Sequence, residues 1–227
     1  MFDLAAMPEP YLDFEAGDRP LVVLTTNPGG PMAHQLRSAY QAGRGPVKLG
    51  MTYREAARAL AIHYIDVLVG TAAGRRIEAL RDLAAEGGFD GVLQVECIPW
   101  HSRDLPNKSR LLGLISREQW LRKYLAQLKD LVRSAPAMAV SAVSSRIDLE
   151  DPTAPLSPWL SWQLSVLGIE RAAARIVPLV RKGSRVTGVA LVQRVEGANK
   201  ALVLMMGSNN LPGSEGRAIL EDVFVSA

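Results

Sequence analysis

Four short apolar runs, separated by stretches of helical spacing, limit what this 227-residue chain can become. Leu21-Val22-Val23-Leu24-Thr25-Thr26, Gly91 to Ile98, Met138 to Ser144 and Ala201 to Met206 are rich in Val, Leu, Ile and Met. The first, uninterrupted run reads as a strand buried on both faces, as in parallel sheets, and the other three also read as strands. Between them, Ala56, Ala57, Leu60, Ala61, Tyr64 and Val67 recur at helical spacing behind Thr52 and Glu55, a capping-box pair. Residues 75–86 predict a second helix ending at Gly87-Gly88. Residues 116–133 predict a long amphipathic helix with Trp120, Leu121, Tyr124, Leu125, Leu128 and Val132 on its apolar side. Trp159 to Val180 reads as helical in at least two pieces, broken near Gly168 and at Pro178, and Glu215 to about Phe224 as a last short helix. Val186 to Val195 reads as a strand of undetermined place.

Strands alternating with helices predict an α/β domain. The expected architecture is a three-layer α/β/α sandwich around a central, mostly parallel four-stranded sheet. Residues 1–20 carry five acids and one base and are read as an acidic N-terminal segment; residues 21–227 form the single domain, with a balance of +7. A basic body suits a polyanionic partner without requiring one.

Composition narrows the chemistry. One cysteine, Cys97, excludes a disulfide framework and any four-cysteine metal site, and Cys97 with three histidines shows no metal-ligand spacing. No apolar run reaches the length of a membrane span, and the first residues lack the basic stretch of a signal peptide. The expectation is a cytoplasmic protein without metal, cofactor or membrane association.

Three runs end in segments rich in glycine, proline and amides. Asn27-Pro28-Gly29-Gly30-Pro31-Met32-Ala33-His34-Gln35 follows the first, Pro99-Trp100-His101-Ser102 the second, and Gly207-Ser208-Asn209-Asn210-Leu211-Pro212-Gly213-Ser214 the last. In a parallel sheet these would gather at the carboxyl edge, where open α/β folds bind ligands. With Val95-Glu96-Cys97-Ile98-Pro99, the three segments resemble the motifs of the uracil-DNA glycosylase superfamily, in particular its single-strand-selective and mismatch-specific branches. At the level of fold the resemblance covers most of residues 20–225; at the level of residues, three short motifs.

The resemblance implies a monofunctional enzyme that hydrolyses the bond between a flipped-out base and its deoxyribose in single- or double-stranded DNA, acting as a monomer. Asn27 would position the attacking water, and Pro28, Gly29, Gly30 and Met32 would line the base site, glycine amides approaching closely. The same residues also make an ordinary strand-to-helix turn. Glu96 stands where the family carries a base-reading Asn. An ionised carboxylate only accepts hydrogen bonds, so Glu96 suits a base edge that offers donors, such as an exocyclic amine, in place of uracil. It would alternatively serve as general base, or as a loop salt bridge. Asn209 and Asn210 stand where many members carry an anion-stabilising His, a weaker electrostatic arrangement. Leu211 would wedge into the vacated stack or cap the strand end.

His101 lies beside the second motif and would act as acid, anion partner or phosphate donor, or simply hold the loop. Trp100, Tyr40 and Tyr53 would stack on a base or belong to the core; His34 would face the pocket, and His63 reads as structural. Residues 102–133 hold eight bases and three acids. Arg103, Lys108 and Arg110 are expected phosphate contacts, with Ser214 and Arg217 joining from the third motif, whereas the later bases read as the solvated face of a helix. Two other readings remain: a silent DNA- or nucleotide-binding module of the same fold, and an unrelated α/β hydrolase, for which no Gly-x-Ser-x-Gly elbow exists.

Overall fold

The computed structural model describes residues 11–25, 50–99, 108–143, 151, 153–181, 185–195, 197–205 and 214–225. Its strands are β1 (Tyr11–Phe14), β2 (Leu21–Thr25), β3 (Val92–Glu96), β4 (Ala137–Val143), β5 (Arg175–Arg181), β6 (Arg185–Val195) and β7 (Ala198–Met205). Its α-helices are α1 (Tyr53–Leu68), α2 (Ala72–Glu86), α3 (Lys108–Arg117), α4 (Gln119–Ser134), α5 (Pro158–Leu167) and α6 (Ser214–Phe224). The strands pair in the order β1-β3-β2-β4-β7-β6-β5.

The expected four-stranded, mostly parallel sheet is corrected by this order. Among the described residues the sheet is mixed, with three parallel and three antiparallel pairings. β1, β3 and β2 form a mixed trio; β7, β6 and β5 are wholly antiparallel, and β4 joins the two groups through parallel contacts with β2 and β7. Two sequence features conceal the antiparallel ends. β1 is four residues long and lies within the acid-rich terminus. β5 lies in the stretch read as helix: Gly168 adopts the left-handed conformation that ends α5, a single 3₁₀ turn follows, and the β-branched residues Ile176, Val177 and Val180 then extend. Pro178 is tolerated in β5 because that strand is an edge. A second correction divides the helix expected over 116–133: α3 ends at Arg117 and α4 begins at Gln119.

Apolar residues of β2 explain the layers. All five β2 residues, Thr25 included, are buried; Val22 and Leu24 pack with α3, α4 and α5, while Leu21 and Val23 pack with α1, α2 and α6. Alternating side chains of one strand therefore feed two cores on opposite faces of the sheet. α1 begins with the expected capping box: the Thr52 hydroxyl accepts from the Glu55 amide at 3.3 Å, and a Glu55 carboxylate oxygen accepts from the Thr52 amide at 2.7 Å. At the entry to β3, Gly91 has φ +76°, and a Cβ there would lie 2.4 Å from the Glu15 carbonyl oxygen. Among the described residues no helix is long and apolar enough to cross a membrane.

The direction in which the chain winds across the sheet changes between two neighbouring strands in its middle. From β2 the chain returns through α1 and α2 to β3 on one side; from β4 it leads to β7 on the other. β2 and β4 are neighbours whose connections diverge, the kind of position at whose carboxyl edge open α/β sheets bind ligands.

Candidate functional site

Thr25 and Glu96 end β2 and β3, and the parallel register makes them direct partners. Thr25 shares its face of β2 with Leu21 and Val23, and Glu96 alternates with Val95, which packs on the opposite core. Both side chains therefore sit on the sheet face covered by α1 and α2. Both are buried, Glu96 to 3% exposure. The Thr25 hydroxyl donates to the Val95 carbonyl at 3.3 Å, and the Cys97 amide donates to the Thr25 carbonyl at 2.8 Å, so pairing continues past the last strand residue.

A carboxylate at 3% exposure requires hydrogen bonds to offset lost hydration. Gln94, two residues earlier on the same face, supplies one: its Nε2 donates to Glu96 Oε1 at 2.8 Å. The Glu96 carbonyl accepts from the Tyr124 hydroxyl on α4, which ties that helix to the end of β3. Cys97 is fully buried in the opposite core. Burial foremost, and the neighbouring Glu96 charge second, push its thiol well above the ordinary range. A thiol held protonated is a poor nucleophile, so Cys97 acts here as packing.

Glu96 is thus the expected catalytic or base-reading residue that the described residues place at the carboxyl edge. Asn27, His101, Asn209 and Asn210 lie outside the described residues, as do Pro28, Gly29, Gly30, Met32, Trp100, Arg103 and Leu211, together with His34 and Tyr40. Lys108 opens α3, Ser214 opens α6 and Tyr53 opens α1; His63 is half-buried on α1. Arg110 is exposed on α3. Arg217 is engaged by carboxylates, its Nε donating to Glu221 at 2.6 Å with Glu86 4.0 Å away. Gln94 and Tyr124 are the contributors that sequence reading missed. Strand alternation signals Gln94; nothing local signals Tyr124, whose partner is 28 residues away.

A cavity of about 300 Å³ lies elsewhere, between β1, α1 and α2, with Asp13, Phe14, Arg58, Ile62 and Arg81 in its wall. Phe14 pairs with Val92 at the start of β3, so this cavity sits toward the opposite end of the strand from Glu96. Asp13 is 2% exposed and already occupied: Arg54 is at 3.3 Å, Arg58 at 3.6 Å, and its Oδ1 accepts from the Ala16 amide at 2.7 Å. Among the described residues no group of three or more His, Cys, Asp or Glu side chains is placed to hold a metal ion.

The chain matches no protein-family model and no curated protein.

Proposed function

We propose that this chain is a DNA glycosylase-like hydrolase of the kind its three motifs resemble, cleaving the N-glycosidic bond of a flipped-out, modified or otherwise non-uracil base. The observation that supports this best is the register of Thr25 with Glu96, since Thr25 leads directly into Thr26-Asn27-Pro28-Gly29. Two of the three motifs thereby start from adjacent strand ends. The third follows β7, which runs parallel to β4 in the same sheet.

In this reading, water held by Asn27 attacks C1′ of the deoxyribose, the glycosidic bond breaks, and the base leaves with the bonding electron pair and takes up the proton that the water loses. Glu96 accepts hydrogen bonds from amino or N–H groups on the base edge. Gln94 holds the carboxylate in place, and burial strengthens the preference for donors by excluding competing water. Asn209 and Asn210 donate to the departing base, and Leu211 fills its place in the stack. The protein acts on DNA as a monomer, in the cytoplasm and without a cofactor.

The test is incubation with oligodeoxynucleotides that differ in one base, followed by alkali cleavage at abasic sites. Product from an amino-bearing or modified base, absent in Asn27→Ala while DNA binding persists, supports the enzyme. DNA binding without abasic product from any base leaves the silent module, a reading favoured by the departures at Glu96 and at Ser208-Asn209-Asn210.

A further inference from the structure

Three of the four exposed cations of helix α4 form a stripe that the proposed chemistry does not use; the fourth, Lys123, lies further round the helix. Its buried residues are Leu121, Leu125, Leu128 and Val132. At 3.6 residues per turn, Arg122, Lys129 and Arg133 fall within an arc of about 40° on the flank beside that apolar side, with the small Ala126 between them. All three cations are exposed, and among the described residues none of their side chains forms an ion pair or hydrogen bond. Asp130 lies further round the helix. Glu118, one turn before Arg122, is half-buried and forms no ion pair with it.

Two contacts orient the stripe. Near its start, the Tyr124 hydroxyl reaches the Glu96 carbonyl at the carboxyl end of β3. At its far end, the buried Lys200, near the start of β7, donates to the Val132 and Ala135 carbonyls at 2.6 and 2.8 Å. Along the helix axis the stripe therefore begins level with the carboxyl end of β3 and recedes for about 17 Å, the rise of roughly five nucleotides of one DNA strand.

Like charges held in line without partners repel one another and favour a ligand with evenly repeated negative charge. We propose that Arg122, Lys129 and Arg133 form a phosphate-binding track that holds the DNA strand running away from the candidate site. The track deepens the proposed function by adding a second contact region to the same substrate, and rests on that reading for the identity of the polymer.

The experiment measures binding of a short, unmodified single-stranded oligodeoxynucleotide to the full-length protein by fluorescence anisotropy across a salt series. Each phosphate neutralised on a single strand contributes about 0.7 to the slope of log affinity against log salt. The triple variant Arg122→Gln/Lys129→Gln/Arg133→Gln should lower that slope by about two, and Arg122→Gln alone by about 0.7. Arg194→Gln, an exposed arginine on β6, should leave it unchanged. An unchanged slope in the triple variant overturns the proposal. So does binding to vesicles containing phosphatidylserine with none to the oligonucleotide. Because the anisotropy series reads binding without any cleavage step, a lowered slope in a protein that yields no abasic site keeps the track and removes the glycosylase reading.

Discussion

Thr25 and Glu96 are register partners at the ends of adjacent parallel strands, both buried and both on the sheet face covered by α1 and α2. In the proposed function Glu96 is the residue that reads the base edge, and its substitution tests that role. Glu96→Gln replaces an acceptor-only group with one that also donates, so a uracil-type edge becomes acceptable and an amino-bearing edge loses a charged acceptor. The relative excision of the two base types should shift by one to two orders of magnitude, matching about 1.5–3 kcal/mol for a hydrogen bond to a charged group. Excision ratios from mixed oligonucleotides measure it. Loss of activity on every base with no change in ratio would instead assign Glu96 to general-base work.

Lys200 ties β7 to the end of α4. Its ammonium is 2% exposed and donates to two carbonyls that the helix itself cannot satisfy. Lys200→Met keeps much of the volume and strands both acceptors. A loss of about 2–3 kcal/mol is expected. Urea unfolding should show a lower midpoint with an unchanged slope; an unchanged midpoint would mean that the carbonyls find other partners.

The Cys97 thiol is held protonated in the folded protein, mainly by burial. Its folded-state value lies above its unfolded value, so its contribution to stability is complete below the unfolded value of about 8.5 and declines as pH rises beyond it. The decline should approach about 1.4 kcal/mol per pH unit. Urea midpoints between neutral and alkaline pH should show it in the native protein, and Cys97→Ala should remove that part of the decline. Equal slopes in the two proteins would contradict the assignment.

Gly91 combines positive φ with a carbonyl 2.4 Å from where a Cβ would stand. Gly91→Ala meets both penalties, at a close approach of backbone to backbone between β1 and the entry to β3. A loss of at least 2 kcal/mol is expected, read by thermal or urea unfolding. Gly197→Ala, also at positive φ but with open space around it, should cost less.

The strands that run parallel through the middle of the sheet were legible because each centres on a short, mainly apolar run of strand length, and the capping box at Thr52 and Glu55 because its two residues are three apart. β1 and β5 were not. Tyr11–Phe14 has too few residues to show a period, and Ile176 to Val180 follows an apolar helix with little to mark the change except Gly168. At the site, Glu96 was legible from its place at a strand end. The groups that hold it were less so: Gln94 is visible only through strand alternation, and Tyr124 only through the packing of α4 on β3.

Base excision is tested most directly by alkali cleavage of single-base oligodeoxynucleotides after incubation with the native protein and with Asn27→Ala. The expected result is strand cleavage at an amino-bearing or modified base by the native protein, abolished in Asn27→Ala with oligonucleotide binding retained. Absence of abasic sites from every base tested, by a protein that still binds the oligonucleotides, would contradict it.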